Sequence, residues 1–323
     1  MTQPWIVLCP GQGAQFVGMG RAWFDAHPAA AEVFRRADAH VGSRLGATLS
    51  SLCFDGPAET LNRTDVAQPA IFVASVACYR ALDAESRIDA RSIAGLSLGE
   101  YTALHLAGAI SFEDALELVL LRGRAMQDAA EASKGSMVAL IGADEAQAQQ
   151  VCDQTALAGG SEVLVGANFN APGQIVLSGH ASACERAVGV AEGLGLKATR
   201  LQVAGAFHSP LMAPAADRLR EALKATRIVP PPVQVVSNVT ALPHEASADS
   251  IRSRLVEQLT SPVRWSQSCS WLATSYPSSG FGYHELAPNK VLSGLMRRID
   301  RAVKVVNHDE PAGVSTGSAS GQG

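Results

Sequence analysis

Residues 95–101, which read GLSLGEY, carry the plainest chemical signature in this chain. They follow the pattern G-x-S-x-G, in which small flanking residues let a strand turn sharply into a helix and lift the central hydroxyl out of the packing. A serine placed in this way, here Ser97, can act as a nucleophile when a base lies within hydrogen-bond reach. Because the 323-residue chain holds 29 glycines, the same pattern also fits a plain turn, and other residues must decide.

A second glycine-rich stretch, PGQGAQ at residues 10–15, follows a short apolar run at 6–9 that has the character of a buried strand. Backbone N–H groups in such a turn face whatever lies above it. Phe16 stands where a dinucleotide-binding turn has its third glycine, and the lysine of a phosphate loop is missing. The turn is therefore either structural, or an oxyanion hole or ligand cradle.

The stretch GAFHSPLM, residues 205–212, places His208 between a predicted strand at 198–203 and a helix that Pro210 would begin. A histidine at the mouth of a loop can take the proton of a serine nucleophile. Isolated histidines are also common as structural residues. On position alone, His208 is a candidate base for Ser97.

The helix predicted over residues 112–132 contains two arginines that point to opposite sides, because a helix turns by about 100° per residue. Its start at Ser111 has the pattern of a capping box. Arg122 falls on the apolar face, where a guanidinium is costly to bury unless an anion accompanies it. That anion is either an internal carboxylate or the carboxylate of a substrate. Arg124 falls on a solvated face with Glu113, Glu117 and Glu131.

The elements that would position these residues alternate between strand and helix, which is the pattern of an α/β fold. Residues 21–50 look helical, and an apolar helix at 65–84 has Pro69 in its first turn, where proline is tolerated. Between 136 and 202 the order β-α-β-β-α-β is the ferredoxin-like pattern and indicates an inserted subdomain.

Three regions follow from this order of elements. We predict a discontinuous main domain at 1–135 and 203–310, the subdomain at 136–202, and a disordered Gly/Ser-rich tail at 311–323.

Composition narrows the class of protein. Hydrophobic residues make up 47% and charged residues 17%, which is typical of a globular protein. The net charge of −4 implies no general affinity for nucleic acid, and the apolar runs are too short to span a bilayer. No basic segment marks a signal peptide, and the six cysteines and eight histidines lack metal-ligand spacing. We therefore expect a cytoplasmic protein with reduced thiols, no metal and no membrane partner.

Six stretches together resemble one family, the malonyl-CoA:acyl-carrier-protein transacylases, which are the acyltransferases of fatty-acid and polyketide synthesis. The stretches occur in the family's order and are PGQGAQ (10–15), GLSLGEY (95–101), LRGRAMQ (121–127), NFNAPGQ (168–174), GAFHSPLM (205–212) and EQLTSPVRW (257–265). The resemblance covers residues 1 to about 306. It implies an α/β-hydrolase-like domain with an inserted ferredoxin-like subdomain.

The resemblance also implies a role for each matching residue. Ser97 would be the nucleophile and His208 its general base, in a dyad without the carboxylate of hydrolase triads. The backbone carbonyl of Gln258 would orient the histidine. Arg122 would pair with the free carboxylate of the malonyl group, which agrees with the independent helix argument.

The remaining implied roles concern the oxyanion and the acyl pocket. The backbone N–H groups of Gln12 and Leu98 would form the oxyanion hole, and Asn168 would line the pocket. Phe207 is the residue of malonyl-type members and would crowd an α-methyl branch, which predicts malonyl over methylmalonyl. The chain departs from the common pattern at Leu96, where many members have histidine, and at residues 287–290, which read APNK in place of GPGK.

The implied partners are malonyl-CoA and an acyl carrier protein, with no cofactor, and we expect a monomer. Two alternatives remain open at this point. One is a hydrolase that clears acyl groups from carrier proteins, against which Arg122 argues, and the other is a non-catalytic docking subunit. Basic residues that could meet an acidic carrier protein, or simply form solvated faces, are Arg297, Arg298, Arg301 and Lys304, and separately Arg186, Lys197 and Arg200.

Overall fold

The computed structural model describes residues 3–159 and 162–312. Its strands, in chain order, are β1 (Trp5–Cys9), β2 (Ala90–Gly95), β3 (Gly135–Ile141), β4 (Leu164–Ala171), β5 (Gln174–His180), β6 (Lys197–Arg200), β7 (Gln234–Val236), β8 (Gly282–Leu286) and β9 (Val305–His308). They form two sheets, one parallel and one antiparallel, so the mixed α/β class predicted from the sequence is confirmed.

The parallel sheet has the strand order β7-β2-β1-β8-β9. The central strand β1 is apolar throughout, and residues 6–9 are fully buried. A parallel strand reads as a continuous apolar run when helices cover both faces of its sheet. The carboxyl ends of β2, β1 and β7 meet at one edge, and the stretches 95–101 and 10–15 begin there.

The helices, in chain order, are α1 (Arg21–Ala26), α2 (Pro28–Val41), α3 (Leu49–Asp55), α4 (Ala58–Leu61), α5 (Thr64–Ser86), α6 (Gly99–Leu106), α7 (Phe112–Ser133), α8 (Glu145–Gly159), α9 (Ala181–Gly193), α10 (Ala213–Ala225), α11 (Ala248–Glu257), α12 (Trp265–Ser275) and α13 (Val291–Ile299), and a 3₁₀ turn spans Pro210–Met212. Helix α5 is buried along most of its length and packs against α7 and α2. The Ser111 side chain caps α7 by accepting a hydrogen bond from the Asp114 N–H, as its sequence predicts.

One prediction about a helix needs correction, and another is confirmed with more breaks than the sequence indicated. Pro69 lies inside α5 rather than in its first turn, because the helix begins at Thr64 and continues through the proline. The proline removes the N–H that would otherwise reach the carbonyl of Asp65. The region 21–50 is divided among three helices, since an extended His27 and a glycine at 42 interrupt it.

The antiparallel sheet has the order β4-β5-β3-β6, and α8 and α9 pack on it. The chain order within it is β-α-β-β-α-β, the ferredoxin-like order read from the sequence. Strand β6 ends at Arg200, earlier than the predicted 203, so His208 follows a loop rather than a strand end. The domain boundaries at 135/136 and 202/203 stay a prediction, and 313–323 of the predicted tail lie outside the described residues.

Strand β4 of the antiparallel sheet is bridged to Val263, in the segment between α11 and α12. The Phe169 N–H donates to the Val263 carbonyl at 2.9 Å, and the Val263 N–H donates to the Ala167 carbonyl at 2.8 Å. This junction holds β4 over the edge where Ser97 lies. All six cysteines are buried, and none of the helices in the described part of the chain is both long and apolar enough to cross a bilayer.

Candidate active site

The turn at Ser97 has the geometry of a strained strand-to-helix elbow. Strand β2 ends at Gly95 and α6 begins at Gly99, while Ser97 between them has a φ of 51°. A positive φ is costly for serine and is held only where the surroundings impose it. A Cβ on Gly95 would lie 1.9 Å from the Gly99 carbonyl carbon, and one on Gly99 would lie 2.2 Å from the Cys9 oxygen. The two flanking glycines therefore allow the close approach that exposes Ser97.

A G95A variant is expected to lose about 3 kcal/mol of unfolding free energy, because the added methyl group must displace backbone. The matched control is G189A on α9, where an added Cβ has no heavy atom within 4 Å. That change should stabilise the protein slightly or leave it within about 1 kcal/mol, since alanine favours helix over glycine. The urea concentration at the midpoint of unfolding compares the stability of each variant with that of the wild type. Equal midpoints for G95A and wild type would show that the elbow does not require glycine.

Ser97 and His208 are within hydrogen-bond distance, with Ser97 Oγ 2.8 Å from His208 Nε2. His208 Nδ1 lies 2.8 Å from the main-chain carbonyl of Gln258, which can only accept a hydrogen bond. The proton of the neutral imidazole therefore lies on Nδ1, and Nε2 presents its lone pair to the serine hydroxyl. His208 is 4% exposed and has a φ of 56°, so its position is fixed by packing.

The electrostatic surroundings keep His208 neutral. Burial is the main cause and the nearby positive charge of Arg122 the second, and together they lower the pKa of His208 to about 4. The Gln258 carbonyl acts in the opposite direction. At neutral pH the imidazole is unprotonated, as a general base must be.

Arg122 reaches the same serine from the other side. Its Nη2 donates to Ser97 Oγ at 3.0 Å and to Gln258 Oε1 at 2.9 Å, and its Nη1 donates to Gln68 Oε1 at 2.7 Å. Arg122 is 1% exposed, and burial lowers its pKa. The ion pairs among the described residues do not include Arg122. The Nε–H of Arg122 has no partner among the described residues, and the other partners are neutral, so the buried guanidinium can pair with a carboxylate.

Arg124 lies two residues after Arg122 on α7, and its side chain is exposed, as predicted for the solvated face of the helix. It pairs with Asp128 at 2.9 Å and with Asp65 at 3.6 Å. The predicted glutamate partners Glu113 and Glu117 instead pair with Arg36 and Arg44 from α2 and the segment that follows it.

The backbone N–H groups predicted for the oxyanion hole lie on two adjoining loops. A Cβ on Gly11 would be 2.3 Å from the Leu96 carbonyl oxygen, so the Gln12 loop lies directly against the elbow. Within the described residues, the N–H groups of Gln12 and Leu98 donate to no other protein group. The Ser97 N–H is already used, because it donates to Asn238 Oδ1 at 2.6 Å.

A cavity of about 640 Å³ opens above the serine between the two sheets. It brings together Gln12, Ser97, Asn168, Phe207 and His208, and its lining also includes Leu96, Met126, Met137, Leu201 and Val203. Arg122, Gln258 and Leu98 are buried beneath this cavity rather than in its lining. Among the described residues, no cluster of three or more His, Cys, Asp or Glu side chains could hold a metal ion.

Four residues of the site were not identified from the sequence: Gln68, Glu100, Asn238 and His244. Asn238 follows β7, which is the parallel neighbour of β2, so its position at the shared carboxyl edge was a usable signal. Glu100 stands within the GLSLGEY stretch but its burial is visible only in the fold. Gln68 gave no signal, since it lies on an apolar helix.

This fold and site define an acyltransferase: the family model described as "Acyl transferase domain" matches residues 6–292. Malonyl CoA-acyl carrier protein transacylase of Bacillus subtilis (strain 168) is 43% identical over 305 residues, or 94% of this chain and 93% of the relative. The chain therefore belongs to the family of malonyl CoA-acyl carrier protein transacylases.

Solved structures agree with this assignment. The malonyl CoA-acyl carrier protein transacylase of Coxiella burnetii superposes with a TM-score of 0.89 at 37% identity, covering 96% of this chain and 95% of its own. A malonyl-transacylase solved in complex with its type II polyketide synthase acyl-carrier protein gives 0.88 at 36% identity, with coverage of 96% and 97%.

Proposed function

We propose that this protein transfers the malonyl group from malonyl-CoA to the phosphopantetheine thiol of an acyl carrier protein. The observation that carries the proposal is the position of Ser97 Oγ, 2.8 Å from His208 Nε2 and 3.0 Å from Arg122 Nη2. A nucleophile, a neutral base and a buried cation thus converge on one point at the floor of a cavity. The names of the relatives supply the substrate and the acceptor.

In the first half-reaction, Ser97 Oγ attacks the thioester carbonyl carbon while its proton passes to His208 Nε2. The N–H groups of Gln12 and Leu98 hold the tetrahedral oxyanion, and each such donor is worth about 3 kcal/mol. The C–S bond then breaks, and the His208 proton goes to the sulfur of coenzyme A. The products are free coenzyme A and a malonyl ester on Ser97.

In the second half-reaction the carrier-protein thiol enters the same cavity and gives its proton to His208 Nε2. Its sulfur attacks the ester carbonyl, the C–O bond to Ser97 breaks, and the proton returns to Ser97 Oγ. Atoms and charges balance without an added reductant or metal. The cycle is of the ping-pong type, because one product leaves before the second substrate reacts.

The pocket residues favour a small, unbranched acyl group. Phe207 is buried beside His208 and lines the cavity with Asn168. A bulky ring at this position leaves less room for an α-methyl branch, and one methyl group is worth about 1–3 kcal/mol of discrimination. We therefore place malonyl ahead of methylmalonyl as the acyl group.

The two groups of basic side chains that could dock an acidic carrier protein differ in their surroundings. Arg186 is paired with Glu162, and Arg200 donates to Ser136 Oγ, so these two basic side chains are partly engaged within the subdomain. The remaining basic side chains are all exposed. They are Lys197 on β6 and, near the end of the fold, Arg297, Arg298, Arg301 and Lys304. Charge reversal in either group should change transfer rates and their salt dependence if that group docks the acidic partner.

Intact-protein mass after brief exposure to malonyl-CoA, acetyl-CoA or methylmalonyl-CoA tests the proposal. We expect a malonyl adduct that maps to the peptide containing Ser97, is absent from S97A, and moves to a holo acyl carrier protein when that protein is added. Slower loading from the other two thioesters is expected. Release of free malonate without malonyl carrier protein would instead support the hydrolase alternative, and loading of S97A would exclude Ser97 as the nucleophile.

A further inference from the structure

A buried acidic group that the proposed mechanism does not use lies directly behind the active site. Glu100 is 0% exposed, and its carboxylate is surrounded by three polar groups. Oε2 accepts from the Gln258 side-chain amide at 2.7 Å and from the Asn238 N–H at 3.1 Å, and Oε1 lies 2.7 Å from His244 Nε2. Burial of a carboxylate is costly unless hydrogen bonds satisfy its oxygens, and these three partners do so here.

The Gln258 side chain links this carboxylate to Arg122. Its Nε2 donates to Glu100 Oε2, and its Oε1 accepts from Arg122 Nη2 at 2.9 Å. Arginine can only donate and an ionised carboxylate can only accept, so the amide has one compatible orientation. If the amide were reversed, its NH₂ group would face the guanidinium and both hydrogen bonds would be lost.

We infer that Glu100 is a positioning residue that sets Arg122 for the substrate carboxylate through the side-chain amide of Gln258. The inference rests on the proposed malonyl transfer. The amide dipole lies between a buried anion and a buried cation, and it keeps an acceptor in front of Nη2. Together with the bond from Nη1 to Gln68, this contact fixes the plane of the guanidinium, on which recognition of a carboxylate depends.

Glu100 therefore acts chiefly on selection of the acyl group. His208 is oriented by the main-chain carbonyl of Gln258, which does not require the side-chain amide, although that amide also donates to the Ser97 carbonyl at 2.9 Å. Glu100 also supports Asn238, whose Oδ1 holds the Ser97 N–H, so a general loss of elbow geometry is the competing outcome. The ratio of two acylation rates separates the two effects.

The two rates are loading by malonyl-CoA, which needs Arg122, and acetylation of Ser97 by p-nitrophenyl acetate, which carries no carboxylate. E100D keeps the charge but withdraws the carboxylate from Gln258 by one methylene. E100Q loses the charge but keeps a carbonyl oxygen toward Gln258, with its NH₂ toward His244, which can accept in its other tautomer. Thermal unfolding of both variants checks the fold.

We expect E100D to lower the ratio of malonyl loading to acetylation by about 10- to 100-fold, the loss typical of a reacting group displaced by about 1 Å. E100Q should lower this ratio much less. That result would show that the position of the acceptor, rather than the charge of Glu100, causes the loss. In an R122A background, E100D should have no further effect on the ratio, since the residue it positions is gone. Should E100D not fold, Q258L removes the amide while leaving the main-chain carbonyl. Because Q258L also removes the bond from the amide to the Ser97 carbonyl, both rates should fall, and the ratio of malonyl loading to acetylation should fall as in E100D.

Equal losses in both rates for E100D, or an undiminished effect of E100D in R122A, would overturn the inference and leave Glu100 as support for the elbow. These outcomes are distinct from a failure of the proposed function, which would appear as the absence of malonyl loading in the wild type.

Discussion

An H208A variant is expected to form the malonyl–Ser97 ester about 10²- to 10⁴-fold more slowly than the wild type, the usual contribution of a general base. The serine would keep its place, because the elbow depends on Gly95 and Gly99 rather than on the histidine. Among the described groups around Ser97, His208 is the only acceptor placed to take the hydroxyl proton, and H208A removes it. Rapid-quench mass spectrometry of the ester measures the rate.

The pH dependence of loading provides a second test of His208. A base must be neutral, and the lowered pKa of about 4 keeps it so throughout the range in which an ordinary histidine, near 6.5, would protonate. The acid limb of kcat/KM for the wild type should therefore lie near pH 4 to 5 and not near 6.5. An H40A variant, which alters a surface histidine paired with Glu117, should match the wild type in both rate and profile. An H208A rate within about threefold of the wild type would exclude His208 as the base.

Much of the fold could be predicted because its signals are local. The apolar run of β1, the capping serine of α7 and the β-α-β-β-α-β order each follow from short-range periodicity and turn residues. The breaks within 21–50 also have local signals, Pro28 after the extended His27 and Gly42 at the end of α2, which the sequence reading did not use. The place of Pro69 inside α5 could not be predicted in this way, because packing can override local propensity.

The candidate site likewise contains residues that the sequence could indicate and residues that it could not. The sequence indicated Ser97 by its glycines and Arg122 by its place on an apolar helix face, and both positions agree with the structure. It could not indicate what accompanies Arg122, because the relevant groups come from distant parts of the chain. Gln258 lies 136 residues from Arg122 along the sequence, and Glu100 meets the arginine only through that amide. The internal carboxylate considered for Arg122 is thus present, but one side chain removed.

An R122A variant is expected to lose malonyl loading selectively. Removing one member of a buried, hydrogen-bonded charge pair costs about 2–5 kcal/mol, which corresponds to a loss of roughly 30-fold to several thousand-fold. Acetylation by p-nitrophenyl acetate should persist, because Ser97 and His208 remain. R122K should be intermediate, since an ammonium restores the charge without the planar two-point geometry. R124A is the matched control, because that arginine lies on the same helix with its side chain 58% exposed.

Loss of Arg122 has an electrostatic consequence that separates this prediction from simple disruption of the site. The positive charge of Arg122 is the second cause of the lowered pKa of His208. Its removal should raise that pKa, so the acid limb of p-nitrophenyl acetate acetylation should move upward in R122A and stay in place in R124A. By the same reasoning, a substrate carboxylate that neutralises Arg122 should raise the pKa of His208. A parallel fall of malonyl loading and acetylation in R122A, with no shift of the acid limb, would show that Arg122 has a structural role only.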